Sequence, residues 1–289
     1  MIRRAVLSYF NADESFGNKC GFNSYRDFLY CTALSIICAS KHFKEVQFIS
    51  TDHGVRVFRD IKVPVTHYSN SLNQMKSVSR FFWAYGKLIA YTEQTQPFLH
   101  LDNDVLLNNK LPDKILNARL CFQSHEPFNL PGYHYYNLLR KAFEAAPVKP
   151  KIIEDNPVMD FAYNCGICGG YDLEFFKEWR KASEEYIFAK ENEKVFFRDF
   201  IQILIHQNLY HEQYFAASLI KAHNLRSEVR VLNPDVVLLG KDKKLKYSHL
   251  WGTTKKNRGN MAMVELRLMR ENKALYDRIN AFCKENNVT

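Results

Sequence analysis

The first 110 residues alternate between short apolar segments and longer segments whose apolar residues have helical spacing. Strands are predicted at residues 4–10, 45–51, 64–68 and 98–107, and helices at residues 25–42, 55–60 and 79–92. A strand, a helix and a further strand in succession require crossover connections, which place the strands in parallel and cover the sheet with helices. The alternation therefore predicts an α/β fold with a mostly parallel central sheet and helices on both faces.

The length predicts one large domain or two fused halves. The chain has 289 residues, 46% of them hydrophobic, which is enough to bury a sizeable core. We expect a single domain over residues 1–258, with one half at 1–110 and the other at 111–258. Val264, Leu268, Leu275, Ile279 and Phe282 have helical spacing. Residues 259–289 are therefore predicted to form a C-terminal amphipathic helix packed on the body.

Two further helices are predicted in the second half. Asp172, after Gly169-Gly170, is a candidate N-cap, and another helix is expected over residues 199–222. An aromatic segment surrounds a predicted turn at Pro131-Gly132. It is compatible with sugar stacking or with ordinary packing.

The charge distribution indicates an affinity for phosphates. The formal net charge is +9, with basic runs at residues 241–246 and 255–258. Nucleic acid is not an expected partner because no binding module is recognisable. Nucleoside diphosphates and anionic membrane surfaces both fit. The apolar run at 28–39 is too short to span a bilayer, and acidic residues interrupt the start of the chain before a signal sequence could form. We expect a cytoplasmic protein, with peripheral contact to the inner face of the membrane as an option.

The seven cysteines do not indicate a metal or redox centre. Only Cys165 and Cys168 have suggestive spacing, and no second pair of cysteine or histidine ligands accompanies them. The following Gly169-Gly170 favours a tight backbone turn.

The segment FLHLDNDVLL, residues 98–107, contains two carboxylates in an apolar setting. One interpretation is a turn centred on Asn103. The other is a metal site, because alternate residues of an extended segment project to the same side and Asp102 and Asp104 would converge. Two carboxylates so close repel each other, and a divalent cation such as Mn²⁺ or Mg²⁺ removes the conflict.

The segment KYSHLWGTTKK contains His249, Gly252 and Lys255. A histidine can supply a third metal ligand, a glycine allows close approach of the backbone to a phosphate, and a lysine offers a positive charge to it. The alternatives are a strand-end histidine bonded to backbone and a lysine in a solvated basic run.

An Asp-x-Asp motif at a strand end, followed late in the chain by His-x-x-Gly-x-x-Lys, resembles the glycosyltransferases of the GT-A fold. It is most similar to glycosyltransferase family 8, the group of glycogenin and the bacterial lipopolysaccharide galactosyltransferases. The resemblance implies a Rossmann-like GT-A domain that uses a nucleotide sugar and Mn²⁺ and retains anomeric configuration. It also implies that residues 1–110 bind the donor, that residues 111–258 bind the acceptor, and that the product belongs to cell-surface polysaccharide synthesis.

Three shorter motifs agree in order with that family. Tyr85-Gly-Lys-Leu88 resembles its Tyr-Ala-Arg-Leu, with Lys87 in place of an arginine near the donor. Asn164-Cys-Gly166 resembles its Asn-Ala-Gly, a turn beside the donor sugar. Glu212-Gln213 resembles its Asp-Gln, which implies that Gln213 lies close to the reacting anomeric carbon.

Four other residues are candidate donor contacts. They are Tyr9 at the end of the first strand, Asp52 after the second strand, Arg80, and Asn103 within the Asp-x-Asp motif. Asp52 could instead cap the following helix, Arg80 could neutralise a neighbour, and Gln213 could be an exposed helix residue.

The predicted activity is the metal-dependent transfer of a hexose from a UDP-sugar to a carbohydrate or glycolipid acceptor. Retention would use Gln213 at the oxocarbenium-like centre, whereas inversion would require a carboxylate base, for which Asp160 and Glu212 are candidates. One alternative is a nucleotidyltransferase, although residues 11–17 do not resemble a Gly-rich phosphate loop. Another is a non-catalytic carbohydrate- or nucleotide-binding protein. The sequence does not indicate the oligomeric state.

Overall fold

A computed structural model describes residues 1–11, 15–130, 135–233 and 246–288. The predicted Pro131-Gly132 turn and residues 241–245 of the first basic run lie outside these residues.

The described residues contain nine strands and eleven α-helices. The strands are β1 Arg4–Tyr9, β2 Glu45–Ser50, β3 His67–Ser69, β4 Phe98–Leu101, β5 Val105–Leu107, β6 Leu120–Pro127, β7 Phe161–Gly170, β8 Val229–Asn233 and β9 Tyr247–His249. The helices are α1 Tyr25–Ser40, α2 Asp52–Asp60, α3 Tyr85–Thr92, α4 Asp113–Leu116, α5 Tyr135–Ala145, α6 Lys151–Glu154, α7 Leu173–Ile187, α8 Gln207–Leu209, α9 Phe215–Ala222, α10 Arg258–Glu271 and α11 Lys273–Glu285. Segments of 3₁₀-helix occupy Ser71–Met75, Arg80–Phe82, Lys190–Asn192, Ile201–His206 and Gly252–Lys256, and π-helix occupies Val195–Asp199 and Tyr210–Tyr214.

The chain divides into two compact units. Unit A contains Arg3–Lys76, Phe98–Pro112 and Val237–Thr289. Unit B contains Met1–Ile2, Ser77–Pro97 and Asp113–Val236. Each unit is thus assembled from separate parts of the sequence, and the middle of the chain supplies most of unit B.

Unit A is a parallel α/β structure. Its strands pair in the order β3-β2-β1-β4, all in parallel, and β5 pairs with β9 in an antiparallel ribbon. Helix α1 is capped by Ser24, whose side chain accepts a hydrogen bond from Asp27 N, and most residues of the helix are buried. The Ser35 hydroxyl on α1 donates to the Val105 carbonyl at 2.6 Å, which fixes β5 against the helix.

Unit B has an antiparallel pair and a parallel pair of strands. Strand β6 is antiparallel to β7 and parallel to β8. Helix α7 is capped by Asp172, whose side chain accepts a hydrogen bond from Phe175 N, as the sequence predicts. Trp179 on α7 is fully buried, and its indole donates to the His211 carbonyl. The predicted fold class is confirmed: the protein is mixed α/β, and its strands pair mostly in parallel.

The predicted single strand over residues 98–107 is wrong. The structure has two strands, β4 and β5, separated by a turn in which Val105 N donates to the Asp102 carbonyl at 3.0 Å. The apolar pattern did not mark the turn because every residue of β4 and β5 is buried. The argument from alternating side chains of an extended segment therefore does not apply to Asp102 and Asp104.

Three predicted helices are also discontinuous. The helix expected over 79–92 is a 3₁₀ turn followed by α3, and the one over 199–222 is a succession of 3₁₀, α and π segments. The expected single C-terminal helix is the pair α10 and α11, because the side chain of Asn272 caps the second helix by accepting from Leu275 N. In the part of the chain that the structure describes, no helix is long and apolar enough to cross a bilayer.

Candidate metal and phosphate site

Both interpretations of the Asp-x-Asp segment hold in part. The segment forms a turn, and the Asn103 side chain is committed to it by donating from Nδ2 to the Ser8 carbonyl at the end of β1, at 2.9 Å. The same turn brings Asp102 and Asp104 together with His249. Their ligand atoms lie within 4.8 Å of one another, and they form the one cluster of three or more such side chains within the described residues.

The β5–β9 ribbon places the histidine in this cluster. His249 is the register partner of Val105, the residue directly after Asp104. Leu250 N donates to the Asp104 carbonyl at 3.0 Å, and His249 Nε2 lies 3.2 Å from Asp104 Oδ1. The alternative of a histidine bonded only to backbone is therefore wrong.

Lys255 completes the charge balance of the cluster. Its Nζ lies 2.6 Å from Asp104 Oδ2, and its side chain is mostly buried, so it does not belong to a solvated run. Burial alone would raise the pKa of the Asp104 carboxyl, but Lys255 and His249 hold it well below its ordinary value. Burial alone would lower the pKa of Lys255, and Asp104 raises it above its ordinary value. Both groups are charged at neutral pH.

Gly252 shapes the connection between His249 and Lys255. It begins the 3₁₀ segment at Gly252–Lys256 and has a φ of +58°, in the left-handed region. A side chain there would have space around it but would strain the backbone. The glycine of the His-x-x-Gly-x-x-Lys motif is thus explained by backbone conformation.

A second histidine lies behind Asp102. His100 is buried on β4, its Nε2 lies 2.9 Å from the Ser8 hydroxyl, and its Nδ1 lies 3.9 Å from Asp102 Oδ1. Groups of this kind orient metal ligands from outside the coordination sphere. His100 lies outside the cluster that Asp102, Asp104 and His249 form.

The donor set suits a hard divalent cation. Two carboxylates and one imidazole can hold Mn²⁺ or Mg²⁺ and leave positions open for phosphate oxygens. Asp104, whose side chain is 7% exposed, already needs positive charge around it, which Lys255 and His249 supply. The chemistry of the three side chains is thus consistent with a divalent-cation site.

Two predicted donor contacts in unit A have local partners. The Tyr9 ring is buried, with its hydroxyl donating to the Asn18 carbonyl at 3.0 Å. Asp52 is exposed, and its carboxylate accepts from the amides of Asn70 and Asn73 at 2.7 and 2.8 Å, which lower its pKa. Thr51 is the N-cap of α2, so the alternative of Asp52 as the cap is wrong. Donor contact by Tyr9 and Asp52 stays a prediction.

In unit B, Lys87 and Glu212 form a buried ion pair. Lys87 Nζ lies 3.0 Å from Glu212 Oε1, with side-chain exposures of 9% and 1%. The Lys87 ammonium also lies 5.5 Å from the centre of the Trp83 ring. Two residues from separate sequence motifs are thus in direct contact.

A second polar cluster in unit B joins Gln213 to Asn164. The Tyr136 hydroxyl lies 2.9 Å from Glu126 Oε2 and 2.8 Å from Gln213 Oε1, and its one proton can be donated to only one of them at a time. Asn164 Nδ2 donates to Glu126 Oε1 at 2.6 Å. Gln213 is 5% exposed, so it is not the exposed helix residue of the alternative interpretation.

Sequence reasoning missed Glu126 and Tyr136. The signal for Glu126 was a charged residue near the end of the apolar segment LCFQSHEP, which forms β6. Gly166 N donates to Asn164 Oδ1 at 3.0 Å, which orders the Asn-Cys-Gly segment within β7. Cys165 and Cys168 are buried free thiols on the same strand.

The remaining predicted residues of unit B lie on its surface. Asp160 is about half exposed and pairs with Arg226 at 3.2 Å. Arg80 is exposed on its 3₁₀ turn, with its guanidinium 5.6 Å from the centre of the Phe81 ring. Their predicted roles stay predictions.

Comparison with known families matches residues 4–282 to the family described as "Family of unknown function (DUF6734)". The match spans nearly the whole sequence, so the chain belongs to this family. No curated protein matches the chain significantly.

Three solved structures show low similarity. The glycosyltransferase GlyE of Streptococcus pneumoniae TIGR4 is 14% identical with a TM-score of 0.38, over 80% of this chain and 45% of its own, so this chain spans less than half of GlyE. Mouse xyloside xylosyltransferase 1 is 12% identical with a TM-score of 0.37, over 81% and 85%. The inositol-1-phosphate CTP transferase of T. maritima is 11% identical with a TM-score of 0.41, over 93% and 96%. Identities and TM-scores this low do not indicate a function for this chain.

Proposed function

We propose that the protein is a metal-dependent glycosyltransferase that transfers a hexose from a nucleoside-diphosphate sugar, with UDP as the nucleotide, to a carbohydrate or glycolipid acceptor. The observation that carries the proposal is the convergence of Asp102, Asp104 and His249 within 4.8 Å, with the Lys255 ammonium on the same carboxylate. Separate sequence motifs supply these four side chains, and their chemistry is that of a cation site beside a phosphate site.

The side chains have distinct proposed roles. Asp102, Asp104 and His249 would hold Mn²⁺ or Mg²⁺. The bound cation would neutralise the negative charge that develops on the diphosphate as the bond to the anomeric carbon breaks. Lys255 would bind the same diphosphate as a mobile positive charge. Gly252 keeps the connecting segment in a conformation that brings Lys255 to Asp104.

Retention of configuration is the stereochemical course that we propose. Inversion needs a free carboxylate base, and each candidate already has a cationic partner: Lys87 for Glu212 and Arg226 for Asp160. The resemblance to glycosyltransferase family 8 implies that Gln213 would support the oxocarbenium-like centre. Its buried amide is held by Tyr136, which supports a fixed orientation.

The test is a thermal shift with UDP, with and without Mn²⁺. Together the ligands should raise the melting temperature of the wild-type protein by a few degrees, and neither should do so alone to the same extent. Asp104→Asn should abolish the joint shift, measured against the melting temperature of the ligand-free variant. Asp60→Asn, an exposed aspartate in α2, is the matched control and should keep it. A full shift in Asp104→Asn would contradict the proposed site.

The reaction class is decided by products. A screen of UDP- and GDP-sugars with Mn²⁺ should show release of free sugar and nucleoside diphosphate from one donor. NMR of the transferred sugar would give its anomeric configuration. In a parallel assay with a nucleoside triphosphate and a sugar 1-phosphate, formation of a nucleoside-diphosphate sugar with release of pyrophosphate would mean attack on the α-phosphorus and would make the protein a nucleotidyltransferase.

A further inference from the structure

Three groups of the protein form a binding position for the Lys255 ammonium. Its Nζ lies 2.6 Å from Asp104 Oδ2, donates to the Cys20 carbonyl at 3.2 Å, and is 5.0 Å from the centre of the Phe22 ring. A carboxylate, a carbonyl and an aromatic face are the three kinds of group that stabilise a cation in a protein. The neighbouring Gly21, with φ +81°, approaches the lysine stem closely, since a Cβ there would be 3.5 Å from Lys255 Cδ.

This binding position of the ammonium overlaps the metal site. Asp104 is a member of both, with His249 at Oδ1 and Lys255 at Oδ2. A divalent cation bound to Asp104 would lie within a few ångströms of the ammonium in a largely buried setting, where like charges repel strongly. Lysine has a long, flexible stem, so its ammonium can move while its backbone stays in place.

The net charge of the cluster indicates which ligands would displace the Lys255 ammonium. Two carboxylates and one ammonium leave one net negative charge when the histidine is neutral. A divalent cation added to that set produces one net positive charge. A diphosphate, which carries at least two negative charges, returns the set to a net negative charge and offers the ammonium a new anionic partner.

We propose that Lys255 is the internal counter-cation of the metal site, which neutralises Asp104 in the free protein and transfers to the diphosphate when metal and nucleotide bind together. This inference rests on the proposed function and adds a thermodynamic consequence. The metal alone must compete with the ammonium, whereas metal and nucleoside diphosphate assist each other. Binding of the two ligands is therefore positively coupled through Lys255.

The test measures Mn²⁺ binding by the full chain from the loss of the free-ion EPR signal, with and without UDP, after subtraction of the loss that UDP causes without protein. In the wild-type protein, UDP should tighten Mn²⁺ binding by about tenfold or more. Lys255→Met should bind Mn²⁺ without UDP about tenfold more tightly than the wild-type protein, and UDP should tighten Mn²⁺ binding by a smaller factor than in the wild-type protein. Lys255→Gln, which keeps a polar side chain, provides a second variant if the methionine protein folds poorly.

Lys256→Met is the matched control. Lys256 is the next residue of the same 3₁₀ segment, is exposed, and contributes its carbonyl to Asn23 Nδ2, a bond that the substitution preserves. It should bind Mn²⁺ as the wild-type protein does. Unchanged Mn²⁺ affinity in both Lys255 variants, with UDP still promoting binding in the wild-type protein, would overturn the counter-cation role and leave the proposed function intact. Absence of Mn²⁺ binding in every protein would overturn the proposed function and this inference with it.

Discussion

The buried ion pair between Lys87 and Glu212 gives a sharp prediction of stability. Lys87→Met removes the ammonium and leaves the Glu212 carboxylate, of which 1% is exposed, inside unit B. At the observed 3.0 Å and an effective dielectric constant of about 20, the lost attraction is about 5 to 6 kcal/mol. Part of that attraction only offsets the cost of burying the charges. We therefore expect a loss of about 3 to 5 kcal/mol in the free energy of unfolding.

The double variant separates charge burial from packing. Adding Glu212→Gln to Lys87→Met removes the stranded charge, so most of the lost stability should return. Lys273→Met is a matched control on α11, where Nζ lies only 2.6 Å from Asp277 but the two side chains are 72% and 54% exposed. Solvent screens such a pair, and its loss should cost about 0.5 kcal/mol or less. Exposure, rather than distance, is expected to decide the outcome.

Urea denaturation followed by circular dichroism measures all four proteins. With a slope of about 3 kcal/mol per molar, Lys87→Met should lower the midpoint by about 1 M or more, while Lys273→Met should leave it nearly unchanged. If Lys87→Met cost less than about 1 kcal/mol, or if the double variant were less stable than Lys87→Met, the account of a stranded buried carboxylate would be refuted.

Two further predictions concern buried positions. Burial lowers the pKa of His211 to about 3, and within the described residues neither ring nitrogen has a hydrogen-bond partner. Below pH 6.5 this histidine therefore binds a proton in the unfolded chain but not in the folded protein. About 2 kcal/mol of stability should be lost between pH 7 and pH 5. His211→Phe should remove that loss in chemical denaturation at the two pH values, and a pH-independent difference from the wild-type protein would count against it. Gly54→Ala would place a Cβ 2.0 Å from Ser50 Oγ, so it should destabilise the protein by about 1 to 3 kcal/mol in thermal melts, although alanine favours helix more than glycine does. Adding Ser50→Gly should recover part of the lost stability. No recovery would refute the steric cause.

Local sequence patterns were sufficient to predict the elements whose structure depends on a few neighbouring residues. The apolar segments of β1 and β2 and the Asp172 cap of α7 were predictable because burial and capping act over a few residues. The break between α10 and α11 was not predicted, since apolar spacing continues across Asn272, which ends the first helix and caps the second.

The part of the site that lies in recognisable sequence motifs was predictable. Asp104, His249 and Lys255 were named from residue type and spacing, although the turn that holds Asp102 and Asp104 was predicted to be part of one strand. Glu126 was missed because its link to Asn164 depends on the pairing of β6 with β7. That register is set by contacts between strands that are distant in sequence, which local propensity does not report.

The assembly of unit A from separate parts of the chain bears on when the site can form. Asp104 and His249 are about 145 residues apart, and most of unit B lies between them in the sequence. A ribosome adding about 5 to 20 residues per second needs on the order of ten seconds to bridge that interval. During that time the nascent carboxylates have neither their imidazole nor their ammonium. The site can therefore form only after most of unit B has been translated, and a chain arrested within unit B would carry the aspartates without His249 and Lys255.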